Sequence, residues 1–476
     1  MTAQDPIFDL LVVGGGTAGI VGAKTAARFG ARTVLVEQDR TGGDCLWTGC
    51  VPSKTLLSAA EHAKTTRALT GERPDFALVR KRIFAAISTI EPIDSHQSIE
   101  ESGAAVIQGV LSFSAPGVAQ VGGRTIRFRQ ALIATGGAPS GLEIPGLNAS
   151  VTVTSETIWE LERLPARLTI IGGGPIACEL GQAFARLGSE VTMIVRSGIL
   201  VKEVPEAAGL VRAALEADGV RFLENSAVYG ATAADHGTRL RLDNGDELDA
   251  DVVLLAAGRS PRTAGLGLDR LGVELDETGR IVTDARMGTS NPRIWAAGDV
   301  TTNPDFTHLA GVHASVAASN AVLGLSRQVA GTVPRVTFTS PEVAAVGITV
   351  ADPGLKHRAR TVWHEHIDRA VTDDATAGFT RLIVAKRGKI LGGTIVGPRA
   401  GESLAELALA VQHGLTTSDI AGTTHAYPTY ADGVWNAAVA DVRANLEAPL
   451  MRRAIGVLVR VRRFWLDRPA RQRSAR

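Results

Sequence analysis

Two cysteines, Cys45 and Cys50, stand five positions apart in the run Gly42-Gly43-Asp44-Cys45-Leu46-Trp47-Thr48-Gly49-Cys50-Val51-Pro52-Ser53-Lys54, and only Cys178 joins them in the 476-residue chain. The run follows directly on a complete dinucleotide-binding pattern, so the chemistry it suggests is a redox-active dithiol beside a bound cofactor. In a regular helix, Cα atoms five positions apart are separated by an axial rise of roughly 7.5 Å. That exceeds the roughly 4.4–6.8 Å a disulfide spans. Bonding therefore requires Cys45 in a bent first turn, which Gly43 and Gly49 permit. The alternative is a pair of packed, inert thiols; the flanking glycines, Pro52 and Lys54 weigh against it.

The elements that must position these thiols come next. Phe8–Val13 reads as an apolar strand running into Gly14-Gly15-Gly16-Thr17-Ala18-Gly19, followed by a helical pattern and a second strand ending on Glu37. In this unit Gly14 makes the tight turn, Gly16 admits a pyrophosphate, Gly19 lets helix pack on strand, and Glu37 accepts from ribose hydroxyls. Residues 54–62 and 76–90 read as helices, 104–113 and 124–134 as strands, the latter closing on Ala134-Thr135-Gly136-Gly137. A boundary falls near residue 150, after Pro139, Pro145 and Gly146.

The same device begins again at Leu168, with Gly172-Gly173-Gly174-Pro175-Ile176-Ala177 as its phosphate turn and 190–195 as its second strand. Two such devices imply two dinucleotides. Arg196 is taken to stand where an acid would close the second strand, with Lys202 six positions on. Cations there favour a ribose 2′-phosphate, so NADPH is expected, with NADH as the alternative. Arg196 as a solvated surface charge is the competing reading. Cys178 reads as a packed thiol inside the helix. Residues 210–257 read as strand-like runs reaching Gly258. Residues 294–300 read as a buried strand carrying Gly298 and Asp299 at its carboxyl end, where Asp299 can bond a polyol chain, cap the next helix, or both.

Composition bounds the rest. With 45% hydrophobic and 21% charged residues, the chain has room for about three domains with their own cores. Three cysteines cannot build a secreted disulfide framework, and neither a signal peptide nor an apolar run of membrane-spanning length is evident, so a soluble cytoplasmic protein is expected. The net charge of +1 is unevenly spread: residues 451–476 hold nine arginines against one acid, leaving 41 bases and 48 acids, a balance of −7, in the first 450.

Taken together, the first phosphate turn with Glu37, the Cys45/Cys50 run, Ala134-Thr135-Gly136, the second turn with Glu179, and Ala297-Gly298-Asp299 resemble the class I pyridine nucleotide–disulfide oxidoreductases. That family includes dihydrolipoamide dehydrogenase, glutathione reductase and mercuric reductase. Thr339-Ser340-Pro341-Glu342 through Val346-Gly347 resembles the opening of its dimerisation domain. The resemblance implies an α/β fold with two Rossmann-like dinucleotide-binding domains and an α+β C-terminal dimerisation domain. An FAD domain would comprise 1–150 and 278–332, an NAD(P)H domain 151–277, and a homodimerising domain 333–450. It implies FAD on the first unit, with Glu37 on the adenosine ribose and Asp299 on the ribitol, and NAD(P)H on the second. It also implies a Cys45–Cys50 disulfide in which Cys50 faces the flavin and Cys45 meets substrate, and a Lys54–Glu179 ion pair near the flavin.

One position departs from the disulfide reductases of this family. Where they carry a proton-handling His with a Glu five positions on, this chain has Tyr427 and Asp432; His425, two positions earlier, is the alternative proton carrier, on the same side only if that segment is extended. A phenol titrating near about 10 is a poor proton carrier at neutral pH, and losing a matched acid–base group costs roughly 10²–10⁴ in rate. Two thiolates and a phenolate oxygen at Cys45, Cys50 and Tyr427 could instead ligate a soft metal ion as substrate. Mercuric reductases are similar here in having Tyr, and similar also at 183–196, Asp44 and Trp47. They additionally carry a C-terminal cysteine pair, which is missing after Cys178. The expectation is a mercuric-reductase-like NADPH oxidoreductase reducing a metal ion, with quinone or disulfide reduction as the enzyme alternative and a flavin-bound redox sensor as the non-enzymatic one. Nucleic acid is not an expected partner.

The tail is a separate feature. From Met451, Ala454, Ile455, Leu458, Val461 and Trp465 share a helical face, Arg452, Arg453, Arg460 and Arg463 lie opposite, and Arg462 interrupts. Such a helix, with Phe464 beside Trp465, suits the surface of an anionic membrane. A packed helix on the dimer and a disordered basic end are the alternatives.

Overall fold

The computed structural model describes residues 7–72 and 74–467, in two compact units that divide between Gly331 and Thr332. In the first unit the strands Ala105–Gln108, Thr33–Glu37, Phe8–Val13 and Arg124–Ile133 lie side by side in that order, with Ile294–Ala296 paired to the far side of Arg124–Ile133. All these pairings are parallel. Strands covered on both faces should be apolar throughout, and Leu10, Leu11, Val12, Leu35, Leu132 and Ile133 are each 0% exposed.

A second parallel sheet repeats the plan with Arg221–Glu224, Glu190–Val195, Arg167–Ile171, Val252–Leu255 and Thr152–Thr154. Its neighbour, Val228–Ala233, Thr238–Leu242 and Glu247–Ala250, is an antiparallel meander. The strand-like reading of 210–257 is corrected at its start: Pro205–Ala217 is a helix. It opens with Pro at its first turn and buries Ala207, Val211 and Leu215, four residues apart on one face.

The second unit is α+β. Its antiparallel sheet runs Arg335–Thr337, Glu342–Gly347, Ile390–Gly397, Phe379–Val384 and Arg358–Trp363. Leu404 and Leu407 of the helix Ala400–His413, and Val434 and Ala437 of the helix Asp432–Leu446, pack in its core. The helix Pro449–Leu466 follows and buries none of its residues. Residues 468–476 of the expected basic tail lie outside the described residues. Among the described residues no helix is long and apolar enough to cross a membrane.

Candidate active site

The two phosphate turns are built alike. Gly14 (φ +103°) and Gly172 (φ +137°) each sit where a Cβ would lie within 2.5 Å and 2.3 Å of the carbonyl oxygens of Ala134 and Ala256, the residues just beyond the neighbouring strands. Only glycine tolerates both that backbone and that contact. The helices that follow start at Gly16 and Gly174 with no side-chain cap, so their first N–H groups face outward for an anion. In the first turn the Gly15 amide donates to Glu37 Oε2 at 2.5 Å.

The second turn differs at that point. Ile171 pairs with Ile194, as Val13 pairs with Val36, so the residue equivalent to Glu37 is Val195 and not Arg196. Val195 Cγ1 lies beneath Gly173 as Glu37 lies beneath Gly15. The expected placement of Arg196 was one position out: it follows the buried Val195 and is exposed, as is Lys202.

The cysteine run is stapled to the first turn. The Gly42 amide donates to the Gly15 carbonyl at 2.8 Å, and Gly43 lies so close that a Cβ there would meet Gly16 Cα at 2.7 Å. A short helix, Gly43–Trp47, carries Cys45, and a new helix, Cys50–Thr70, begins at Cys50. The bend falls at Thr48-Gly49, where Trp159 Nε1 donates to the Thr48 carbonyl at 2.8 Å. This break brings two side chains five positions apart into contact.

The thiols are unequal. Cys50 Sγ lies 3.3 Å from the Thr307 hydroxyl. A hydrogen bond from Cys45, then Thr307, then the Lys54 cation outweigh burial and pull Cys50 down to about 6. The same shared hydrogen bond, with burial and the charge of Asp44, drives Cys45 upward. Lys54 Nζ in turn bonds Glu179 Oε2 at 2.8 Å, the glutamate being buried. Cys178 is fully buried and pushed up to about 12, chiefly by burial. Desolvation of that kind marks a structural thiol.

Asp299 follows the strand Ile294–Ala296, and burial, then the charge of Asp305, raises it to about 6. Arg259 reaches across to this region: it contacts Asp44 beside Cys45, donates to the Gly137 carbonyl at 2.9 Å, and holds its Nε 3.5 Å from Asp299. That Nε is buried and makes no hydrogen bond among the described residues. Thr135 Oγ1 donates to the Arg262 carbonyl at 2.7 Å, Gly136 has φ +67°, Gly258 φ +141°, and Gly298 φ +83°.

In the second unit, the Tyr427 hydroxyl donates to Asp368, and Tyr427 is 70% exposed. Asp432, the expected partner of Tyr427, is buried and accepts instead from the Thr429 amide at 3.2 Å. The bond to Asp368, then that carboxylate's charge, moves Tyr427 upward, so it stays a protonated phenol. His425 has neither ring nitrogen free: Nδ1 lies 2.9 Å from the Thr423 carbonyl and Nε2 2.7 Å from Glu406 Oε1. Burial alone would lower this imidazole, but the Glu406 and Thr423 bonds outweigh it and the net shift is upward.

The profile described as "Pyridine nucleotide-disulphide oxidoreductase" matches residues 8–314, and that of the corresponding dimerisation domain matches 333–438. The chain belongs to this family. It is accordingly an FAD-dependent NAD(P)H oxidoreductase of the class I pyridine nucleotide–disulfide oxidoreductases. A mercuric reductase of Streptomyces lividans is 35% identical over 90% of this chain and 94% of its own length. A dihydrolipoyl dehydrogenase of Thermus scotoductus is 34% identical over 91% and 97%. Among solved structures, the Cu(II) complex of the HOCl-induced flavoprotein disulfide reductase RclA from Escherichia coli superposes with a TM-score of 0.84. Its identity is 25%, covering 91% of this chain and 99% of that one. LpdA from Mycobacterium tuberculosis gives 0.83 and 26%, covering 90% and 98%.

This oxidoreductase has the hydrogen-bonding groups that FAD requires. The uncapped helix end at Gly16 suits a pyrophosphate, Glu37 offers a carboxylate beside it, Asp299 is a desolvated carboxyl able to take a polyol hydroxyl, and the buried Arg259 Nε makes no hydrogen bond among the described residues. Three residues that bond the candidate groups escaped the sequence reading, Thr307 and Arg259 in the first unit and Asp368 in the second. Thr307 opens the helix Thr307–Leu323 and is 257 positions from Cys50. Arg259 and Asp368 likewise reach their partners only through the fold, and no local pattern announces them.

Proposed function

We propose that this oxidoreductase draws an electron pair from NADPH, stores it at Cys45 and Cys50, and delivers it to a small organic acceptor, a disulfide or a quinone. The observation that carries this is the placement of the thiols: the helix break at Thr48-Gly49 brings Cys45 against Cys50, and Cys50 Sγ lies 3.3 Å from the Thr307 hydroxyl, an environment that pulls Cys50 down while Cys45 is driven up. In this reading residues 1–150 with 278–332 hold FAD through Gly14, Gly16, Gly19, Glu37, Thr135, Gly136, Gly298 and Asp299. Residues 151–277 hold NADPH through Gly172, Gly174, Gly258, Arg196 and Lys202, and 333–450 form a homodimer. FAD, when bound, supplies the two-electron relay between nicotinamide and dithiol.

The chain's own groups do the rest. Thr307 and Lys54 keep Cys50 anionic at neutral pH, and Glu179 fixes the Lys54 ammonium. Cys45 keeps the single proton of the reduced pair and exchanges with the acceptor only as it gives that proton up. With a disulfide acceptor, Cys45 sulfur bonds to one acceptor sulfur, the acceptor S–S bond breaks, and the departing sulfur takes the Cys45 proton. Cys50 thiolate then attacks Cys45 sulfur, reforming the Cys45–Cys50 disulfide and releasing the second thiolate. Tyr427, held as a phenol by Asp368, is suited to donate a hydrogen bond to an acceptor oxygen or sulfur, and poorly suited to ligate a metal ion as phenolate.

A second reading, reduction of a soft metal ion, is favoured by the mercuric reductases among the relatives and by the Cu(II) complex of RclA. A panel of lipoamide, glutathione disulfide, quinones, Hg(II) and Cu(II), each with NADPH and with NADH, separates the two. Turnover of a disulfide or quinone well above that of either metal supports the first reading; turnover of metals alone overturns it. Cys45→Ser tests the dithiol route: it should abolish turnover of whichever organic acceptor Cys45 serves, and turnover that survives it would bypass the dithiol and overturn the storage step.

A further inference from the structure

The helix Pro449–Leu466 is the feature the redox chemistry does not use. It spans 18 residues, roughly 27 Å, with five arginines and no acid, and none of its residues is buried. At about 100° per residue, Leu450, Met451, Val457, Leu458, Val461 and Trp465 fall within an arc of about 120°. Arg452, Arg453, Arg460 and Arg463 fall within about 100° on the other side. Arg462 sits at the margin of the apolar arc, where its long stem can lie along apolar surface while the guanidinium stays in water. Only Ile455 and Gly456 are partly covered, whereas Leu450 is 84%, Leu458 67%, Val461 53% and Trp465 45% exposed.

We propose that this helix lies in the surface of an anionic lipid bilayer, with its apolar arc in the acyl boundary and its arginines among the headgroups. Strong amphipathicity, low net hydrophobicity, a basic polar face and an interfacial Trp are what in-plane binding requires. Charge complementarity selects this occupant. A polyanion without an apolar interior would satisfy the arginines and leave the Leu–Val–Trp arc in water. A second copy meeting it about a two-fold axis would bring like patches together, five arginines on each. The helix also starts beyond residue 438, where the match to the dimerisation domain ends.

The test is flotation of the FAD-loaded full-length protein with phosphatidylcholine vesicles, with and without phosphatidylglycerol. Flotation at least about tenfold greater with the anionic vesicles, falling as salt rises, is expected. Replacing Arg452, Arg453, Arg460 and Arg463 by Gln should abolish it, as should Leu458→Ser with Trp465→Ser. A chain ending at Asp467 should still float, and NADPH oxidation should be unchanged in every variant. Absence of flotation on anionic vesicles overturns the proposal. So does flotation that survives Leu458→Ser with Trp465→Ser, which would be charge adsorption alone, or flotation lost on ending the chain at Asp467. A smaller oligomer in the Leu458→Ser, Trp465→Ser variant than in the wild type would place the face against a second copy and equally overturn it.

Discussion

The two βαβ units of the first compact unit are one device used twice, and two of their differences bear on the phosphate turn. Their turn glycines, their uncapped helix starts and the amide–carbonyl staples from Gly42 to Gly15 and from Leu200 to Gly173 coincide. Where the first has Glu37 bonded to the Gly15 amide, the second has the apolar Val195. Where the first has Gly19, the second has the fully buried Ala177. The shared geometry suits what dinucleotides have in common, the pyrophosphate, and the two exceptions are where the units can be told apart.

The largest break in this comparison is Gly19→Ala, which copies the second unit into the first. A Cβ there would lie 1.8 Å from the Gly14 carbonyl oxygen, and backbone cannot yield as a flexible side chain can. A protein that purifies without flavin, or does not fold, is expected, as read from flavin absorbance and circular dichroism. Next comes Glu37→Val, which removes the acceptor of the Gly15 amide. A hydrogen bond to a charged group is worth about 1.5–3 kcal/mol, so FAD binding measured by fluorescence should weaken about 10- to 100-fold. The reverse exchange, Val195→Glu, sets a carboxylate where a 2′-phosphate would sit. The NADPH-to-NADH ratio of kcat/KM should fall by about tenfold or more, as the loss of about 1.4 kcal/mol implies. An unchanged ratio would mean that this strand end does not select the nucleotide. The smallest effect belongs to Ala177→Gly, with about 1 kcal/mol of lost helix stability, seen as a few degrees in Tm with both nucleotides still bound.

Much of this arrangement was legible in the residues. The two glycine patterns, the Cys45/Cys50 run and Lys54 are local, and local spacing carries their meaning. The slip of one residue at Val195 was not legible, because the run from 191 to 195, apolar except for Thr192, fits either register. Only the pairing of Ile171 with Ile194 decides between them. Residues 210–217 misled for a related reason: Leu210 and Val211 read as strand until Pro205, Ala207 and Leu215 are seen to share one helical turn pattern. Thr307, Arg259 and Asp368 join their partners across long stretches of chain. His425 looked available as a proton carrier, and only the Thr423 and Glu406 contacts commit both of its nitrogens.

The central claim is that Cys50 is the thiolate of the pair, and anaerobic NADPH titration of the holoenzyme tests it most directly. The signal is the long-wavelength thiolate-to-flavin charge-transfer band at the two-electron level, followed from about pH 5 to about pH 8. A thiol held at about 6 by Cys45, Thr307 and Lys54 stays ionised above that pH and is protonated below it. The band should therefore be present at neutral pH, fade with a midpoint near pH 6, persist in Cys45→Ser and vanish in Cys50→Ser. A band that survives Cys50→Ser, or is lost only in Cys45→Ser, would contradict the account.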